Sequence, residues 1–293
     1  MSVDLTDLSQ EIINLVASYL QRWEHEDERF SPQTGRALLP TYATISQSWQ
    51  HAIEYRTFRK LSIKSTEIED FSRIMVKHRR RQLRRLEFNV VLPTYPDLAC
   101  AKFETEIDKQ ANNKTLTKAI KDLLALLRSW HDELQATGDD SNAPIEPSLL
   151  LCIVDCYSPM DGGYRGWEKY QEHRRQREDN RRHDLFEHRY ESSLLQLDSA
   201  EGIQKIPQIS CFLVSSGSRS IEPRSLAMIA SKFPNLDNIR WRLNDKEKRD
   251  PRLRQQTRFS GSLFHLLSVT VTATWVLADR AYRYSQTSLK PYQ

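Results

Sequence analysis

Apolar residues along the chain recur with two spacings, three to four residues apart in some stretches and two apart in others. In LSQEIINLVASYL, residues 8–20, Leu8, Ile12, Leu15, Val16 and Tyr19 fall at helical spacing and form one stripe. Ile13 and Leu20 widen that stripe beyond what one packing partner needs. Asp7 or Ser9 can cap the start, and Glu11 suits the first turn, near the positive end of the helix dipole. A helix of about a dozen residues is marginal alone and draws its stability from tertiary contacts. So wide an arc fits a core helix, or a helix that packs both on its own domain and on a second protein.

A polar stretch broken by Pro32 and Gly35 follows and reads as a loop. LLPTYATISQSWQHAIEYRTF predicts a second helix with Leu38, Tyr42, Ile45, Trp49 and Ile53 on one face. FRKLSI predicts a short strand through Phe58, Leu61 and Ile63. Residues 67–85 predict a helix that is basic outside and turns Phe71, Ile74, Met75 and Leu83 inward. LRRLEFNVVL alternates, with Leu86, Phe88, Val90 and Leu92 on one side. A helix at 115–134, the apolar run SLLLCIVDCYS, a charged stretch at 165–205 and the strand IPQISCFLV come next. PRSLAMIASKFPNLDNIRWRL supplies a helix and a strand, with Leu236, Ile239 and Trp241 at leucine-rich-repeat-like spacing. Within that strand Ile239, Trp241 and Leu243 face the core, and Arg240 and Arg242 face the other way. Residues 262–278 reach the lower edge of a membrane span, yet Val269, Val271, Ala273 and Trp275 alternate with Thr270, Thr272 and Thr274. That is strand periodicity. Helix followed by strand, repeated, predicts an α/β fold with a parallel sheet or an irregular solenoid.

Composition narrows the function classes. Hydrophobic residues make up 39% and charged residues 28% of 293, enough for a core under a highly charged surface. Only 8 glycines argue against glycine-rich phosphate loops, and a net charge of +4 is modest for a dedicated nucleic-acid binder. Cys100, Cys152, Cys156 and Cys211 form no disulfide framework in a chain this long, and the acidic, polar N-terminus does not read as a signal peptide. A reducing compartment, cytoplasmic or nuclear, is expected.

Read together, the first 63 residues resemble the F-box, which runs Leu-Pro-x-Glu-Ile-x-x-x-Ile-x-x-x-Leu and then a Val/Ile-Ser-x-x-Trp helix. Leu8, Glu11, Ile12, Val16 and Leu20 match the first part, and Ile45, Ser46 and Trp49 the second. Ser9 stands in place of the proline, and the loop between the helices is longer than usual. The stretches EDFSRIMVKHRRRQLRRLEFNVVLPTY, ALLRSW, DCYSPMD and SLAMIASKFPNLDNIRW extend the likeness to about residue 266, toward fungal F-box proteins with a degenerate leucine-rich-repeat region. The resemblance implies a small helical F-box at 1–57 and an irregular leucine-rich-repeat-like α/β solenoid at 58–293, its last repeat incomplete or altered. It implies docking on the Skp-type adaptor of a cullin–RING ubiquitin ligase through Leu8, Ser9, Glu11, Ile12, Val16, Leu20, Ile45, Ser46 and Trp49. A protein substrate would then meet the open sheet face at Arg240, Arg242, Thr270 and Thr272. The expected role is non-catalytic substrate recognition, with a ligase-independent scaffold as the alternative and, behind both, a nucleic-acid binder through residues 77–85.

Other chemistry finds little support. Cys152 and Cys156 share a strand face but lack a second ligand pair, so they read as core. His183 and His188 lie in a mixed-charge stretch that reads as a solvated helix. SSGSRS, residues 215–220, reads as a loop after a strand. KHRRRQLRR, residues 77–85, is the strongest basic run and the one feature that suits phosphate, but no aromatic residue is interleaved with it. Nucleic acid, membrane and small-molecule substrates are therefore not expected. No P-loop, G-x-S-x-G, HExxH or Rossmann motif occurs, so no cofactor, metal or enzymatic activity is expected.

Overall fold

The computed structural model describes residues 8–27, 39–96, 99, 102–136, 149–161, 189–190, 193–215, 219–241 and 272–273. The chain divides into two compact units, one of residues 1–61 with 75–85 and one of residues 62–74 with 86–293.

The first unit holds α1 (Gln10–Asp27), α2 (Leu39–Tyr42), α3 (Gln47–Thr57) and α5 (Lys77–Gln82). The second predicted helix breaks in two. Ser46 is extended, at φ −160° and ψ 169°, and its hydroxyl caps α3 by accepting the Trp49 N–H at 3.4 Å. A serine takes this role because its oxygen satisfies an amide that the helix cannot. Phe58, expected in a strand, is the C-cap of α3. The core is small: Ile13, Ala17, Trp49, Ala52 and Ile53 are buried together, with Leu8, Val16, Leu20, Tyr42, Ala43 and Ile45 packed around them.

The second unit holds the sheet and its helices, the boundary passing through β1 (Lys60–Lys64) after Leu61 and through β2 (Arg85–Val91) after Arg85. A 3-10 turn (Ser65–Glu67) leads into α4 (Ile68–Ile74). Residues 67–85 are thus not one helix, because Val76 is extended, at ψ 164°, between α4 and α5. Phe71, Met75 and Leu83 are buried as expected, whereas Ile74, at the end of α4, is 48% exposed. α6 (Glu106–Ala136) starts earlier than its apolar spacing suggests and buries Leu116, Ile120, Leu123, Leu124, Leu127 and Trp130 along one face. β3 (Leu149–Tyr157), β4 (Ile209–Val214), α7 (Pro223–Ala230), β5 (Asn238–Trp241) and β6 (Thr272–Ala273) complete the described elements.

The six strands lie in chain order, β1-β2-β3-β4-β5-β6. The pairs β3/β4, β4/β5 and β5/β6 are parallel. An α/β architecture with parallel strands is therefore present. β2 alternates as predicted, with Leu86, Phe88 and Val90 buried. Phe212 of β4 anchors the core, its ring centroid 5.4 Å from Phe233 and 6.5 Å from Trp241, both edge-on. β6 places Thr272 and Ala273 in a strand, and the rest of 262–278 lies outside the described residues. Among the described residues no helix is long and apolar enough to cross a membrane.

Candidate functional site

In α1 two apolar arcs share one helix. Ile13 and Ala17, four residues apart and both fully buried, face the core. Ile12, Leu15 and Tyr19 are 47%, 57% and 60% exposed. Their spacing of three and four puts them on one face of the helix. Most of the stripe read from the sequence is thus the outward one, and the inward arc rests on Ile13 and Ala17. The division follows from what backs the helix: α3 offers Trp49, Ala52 and Ile53, and Trp49 stacks on Tyr42 at 6.3 Å. Polar ties fix the rotation of α1. Arg56 Nη2 donates to the Asn14 carbonyl at 2.9 Å, and Gln10 Nε2 donates to the Ser48 carbonyl at 3.3 Å.

The expected adaptor contacts fall into two groups. Ser9, Glu11 and Ile12 are exposed, while Leu8, Val16, Leu20, Ile45 and Ser46 are half-buried and Trp49 is buried at 3%. Glu11 accepts hydrogen bonds from its own backbone amide and from Ser9, which hold its carboxyl below the usual range. Trp49 is thus a support for the face rather than a contact on it. Leu15 and Tyr19 were not on the expected contact list, although their spacing had marked them in the stripe.

In the first unit a groove of about 630 Å³ is lined by Ala43, Thr44, Ser46, Gln47, Gln50 and Glu54. Its one charge is committed elsewhere. Glu54 accepts from Arg79 Nη2 at 2.8 Å and contacts His78 Nε2 at 2.9 Å. Burial alone would raise its pKa, but hydrogen bonds from Arg79, Gln50 and His78 and the charge of Arg79 overcome that and hold it at about 2. The unfolded chain therefore binds more protons than the folded one between pH 4.5 and about 2. Stability contributed by Glu54 is expected to be complete above the unfolded value and to be lost as pH falls through that window. Urea midpoints at pH 6 and pH 3 check this: Glu54→Gln should narrow the difference between them, and an unchanged difference counts against the assignment.

On the second unit Arg240 is exposed on β5 between buried Ile239 and Trp241, as predicted. Thr272 pairs with Asn238, two residues from Arg240. Arg242, Leu243, Thr270, Thr274, His183 and His188 lie outside the described residues. Cys152 and Cys156 are both buried, and burial followed by the charge of Asp155 pushes the Cys156 thiol up to about 12, far from a nucleophile.

A polar cluster in this unit escaped the sequence. Glu104 is fully buried, and Arg219 grips it with both ends of its guanidinium, at 2.8 and 2.9 Å. Asn112 and Ser193 also donate to Glu104. Arg189 donates to Asp108 at 3.0 Å and to the carbonyls of Ala99 and Lys102. Tyr95 and Tyr190 both donate to Asp161 Oδ1, at 2.5 and 2.6 Å. Burial, then Asp161, raises the pKa of both tyrosines and keeps them protonated donors. The guanidinium of Arg189 lies 4.1 Å from the Tyr95 ring centroid and that of Arg219 lies 4.0 Å from Tyr190. The cluster ties together segments that follow β2, β3 and β4. The carboxylates of Glu104, Asp108 and Asp161 are all engaged by donors, and these bonds hold the segments together.

No protein-family model, curated protein or solved structure matches this chain. Among the described residues no group of His, Cys, Asp and Glu could hold a metal ion.

Proposed function

We propose that the chain is a non-catalytic substrate-recognition subunit of a Skp–cullin–F-box ubiquitin ligase, working in the cytoplasm or nucleus. The observation that carries this reading is the division of α1 into two apolar arcs. Ile13 and Ala17 are used up by the helix's own core, and Ile12, Leu15 and Tyr19 remain as an outward face. Burying one aliphatic side chain of this size stabilises a complex by about 1.5–3 kcal/mol, so such a face suits the apolar groove of an adaptor subunit. The chain-order parallel strands support an irregular leucine-rich-repeat-like region, since in a solenoid each repeat lies against its successor. Action is by proximity: a substrate held beside the ubiquitin-transfer machinery reacts at a raised effective concentration.

Capture of the purified Skp-type adaptor by the full chain tests the reading. Ile12→Asp changes an exposed side chain, so the fold should survive while binding is lost, because an aspartate there would be desolvated without a partner. In the same assay on native extract, Arg240→Glu should lose protein substrates and keep the adaptor. Undiminished adaptor binding by folded Ile12→Asp protein would sink the ligase reading in favour of a ligase-independent scaffold.

A further inference from the structure

The proposed ligase role leaves the basic run at 77–85 without a task, and the fold adds to that run. The Arg84 and Arg85 amides donate to the Arg59 carbonyl at 2.9 and 3.0 Å, so the end of α3 and the segment after α5 meet within the first unit. Segments 54–60 and 75–85 carry nine Lys and Arg residues against one carboxylate, Glu54, a local charge of +8. The whole chain carries +4, so everything outside these two segments sums to −4. The positive charge of this protein is thus concentrated here. Arg59, Lys77, Arg81 and Arg84 are all exposed. No aromatic residue lies among the charges of 77–85, but the other segment carries one: Tyr55 is 49% exposed, with the Arg59 guanidinium 6.0 Å from its ring centroid.

We infer that this surface binds single-stranded nucleic acid. Exposed cations on two joined segments, Arg59, Lys77, Arg81 and Arg84 among them, suit a repeating phosphate backbone, and guanidinium forks grip phosphate oxygens in pairs. An acidic protein segment would satisfy the charges but would have no use for the ring. A base would stack on it, and such stacking tolerates any sequence. Binding is expected to be non-specific and independent of the outward face of α1.

Fluorescence anisotropy of a labelled 20-nucleotide poly(U) with the full chain tests the inference. Four phosphate contacts predict a log–log salt slope of about −2.8, hence about fifty-fold weaker binding at 200 mM than at 50 mM salt. Arg81→Gln with Arg84→Gln should halve that slope, to about −1.4. Tyr55→Ala should weaken binding about tenfold with the slope unchanged, because it removes stacking and no charge. Circular dichroism identifies any variant that has failed to fold, and the wild-type slope needs no variant. Absent binding or a flat wild-type slope overturns the inference. So does equal affinity for polyglutamate or for phosphatidylserine vesicles, with Tyr55→Ala indistinguishable from wild type, which would assign the surface to acidic protein or to membrane.

Discussion

Arg219→Ala is expected to be among the most damaging single substitutions in the second unit. Glu104 is fully buried, and Arg219 is the cation that grips it at 2.8 and 2.9 Å. Removing the guanidinium leaves the carboxylate in the interior with only the neutral donors Asn112 and Ser193. Breaking a buried pair from one side costs about 3–5 kcal/mol, because the surviving charge keeps its desolvation penalty and loses its compensation. The Tyr190 ring also loses the cation 4.0 Å from its centroid. Replacing both partners should be milder than replacing one. Glu104→Gln with Arg219→Met removes both charges and retains most of the volume, and swaps of this kind are often nearly neutral. Urea denaturation of wild type, Arg219→Ala, Glu104→Gln, Arg219→Met and the double variant measures the coupling. If Arg219→Ala unfolds at the wild-type midpoint, or the double variant is worse than either single one, the cluster does not hold the unit together.

Elements with a local physical signature are readable in the sequence. β2 and β5 announce themselves because alternation within a few residues suffices to bury Phe88, Val90, Ile239 and Trp241. The start of α6 was not readable. One of the buried positions in its first turns is Asn112, and a polar residue there looks solvated until its partner Glu104 is known. The Glu104–Arg219 pair spans 115 residues, and no local pattern couples two charges so far apart. Arg189 directly follows a mixed-charge stretch read as a solvated helix, yet it is 1% exposed. The outward face of α1 was half readable. The spacing marked Ile12, Leu15 and Tyr19 as one stripe, but which arc of α1 faces inward depends on what α3 offers, and Trp49 with Ile53 draws in Ile13 and Ala17. The basic run was plain in the sequence, whereas its junction with Arg59 rests on backbone hydrogen bonds between segments some two dozen residues apart.

Trp49 carries the largest effect expected in the first unit. It is 3% exposed, stacks on Tyr42 at 6.3 Å, and belongs to a core whose other buried members, among the described residues, are Ile13, Ala17, Ala52 and Ile53. In so small a core no neighbour is large enough to collapse into the space an indole leaves. Trp49→Ala should therefore cost about 3–5 kcal/mol. For a unit of this size each kcal/mol lowers the melting temperature by about 4–8 °C, so the drop should exceed about 10 °C. The loss should also reach the outward face without touching it. With the indole gone from the core that Ile13 and Ala17 share, α1 should hold Ile12, Leu15 and Tyr19 less firmly in one orientation, and adaptor capture should fall together with stability. Ile12→Asp should instead lose capture at an unchanged melting temperature. Hydrogen exchange on the amides of α1 and α3 separates the two cases: Trp49→Ala should raise exchange in both helices, and Ile12→Asp in neither. Wild-type exchange in α1 of Trp49→Ala protein would mean that the helix is held by something other than the core described, and the division of its two arcs would lose its physical cause.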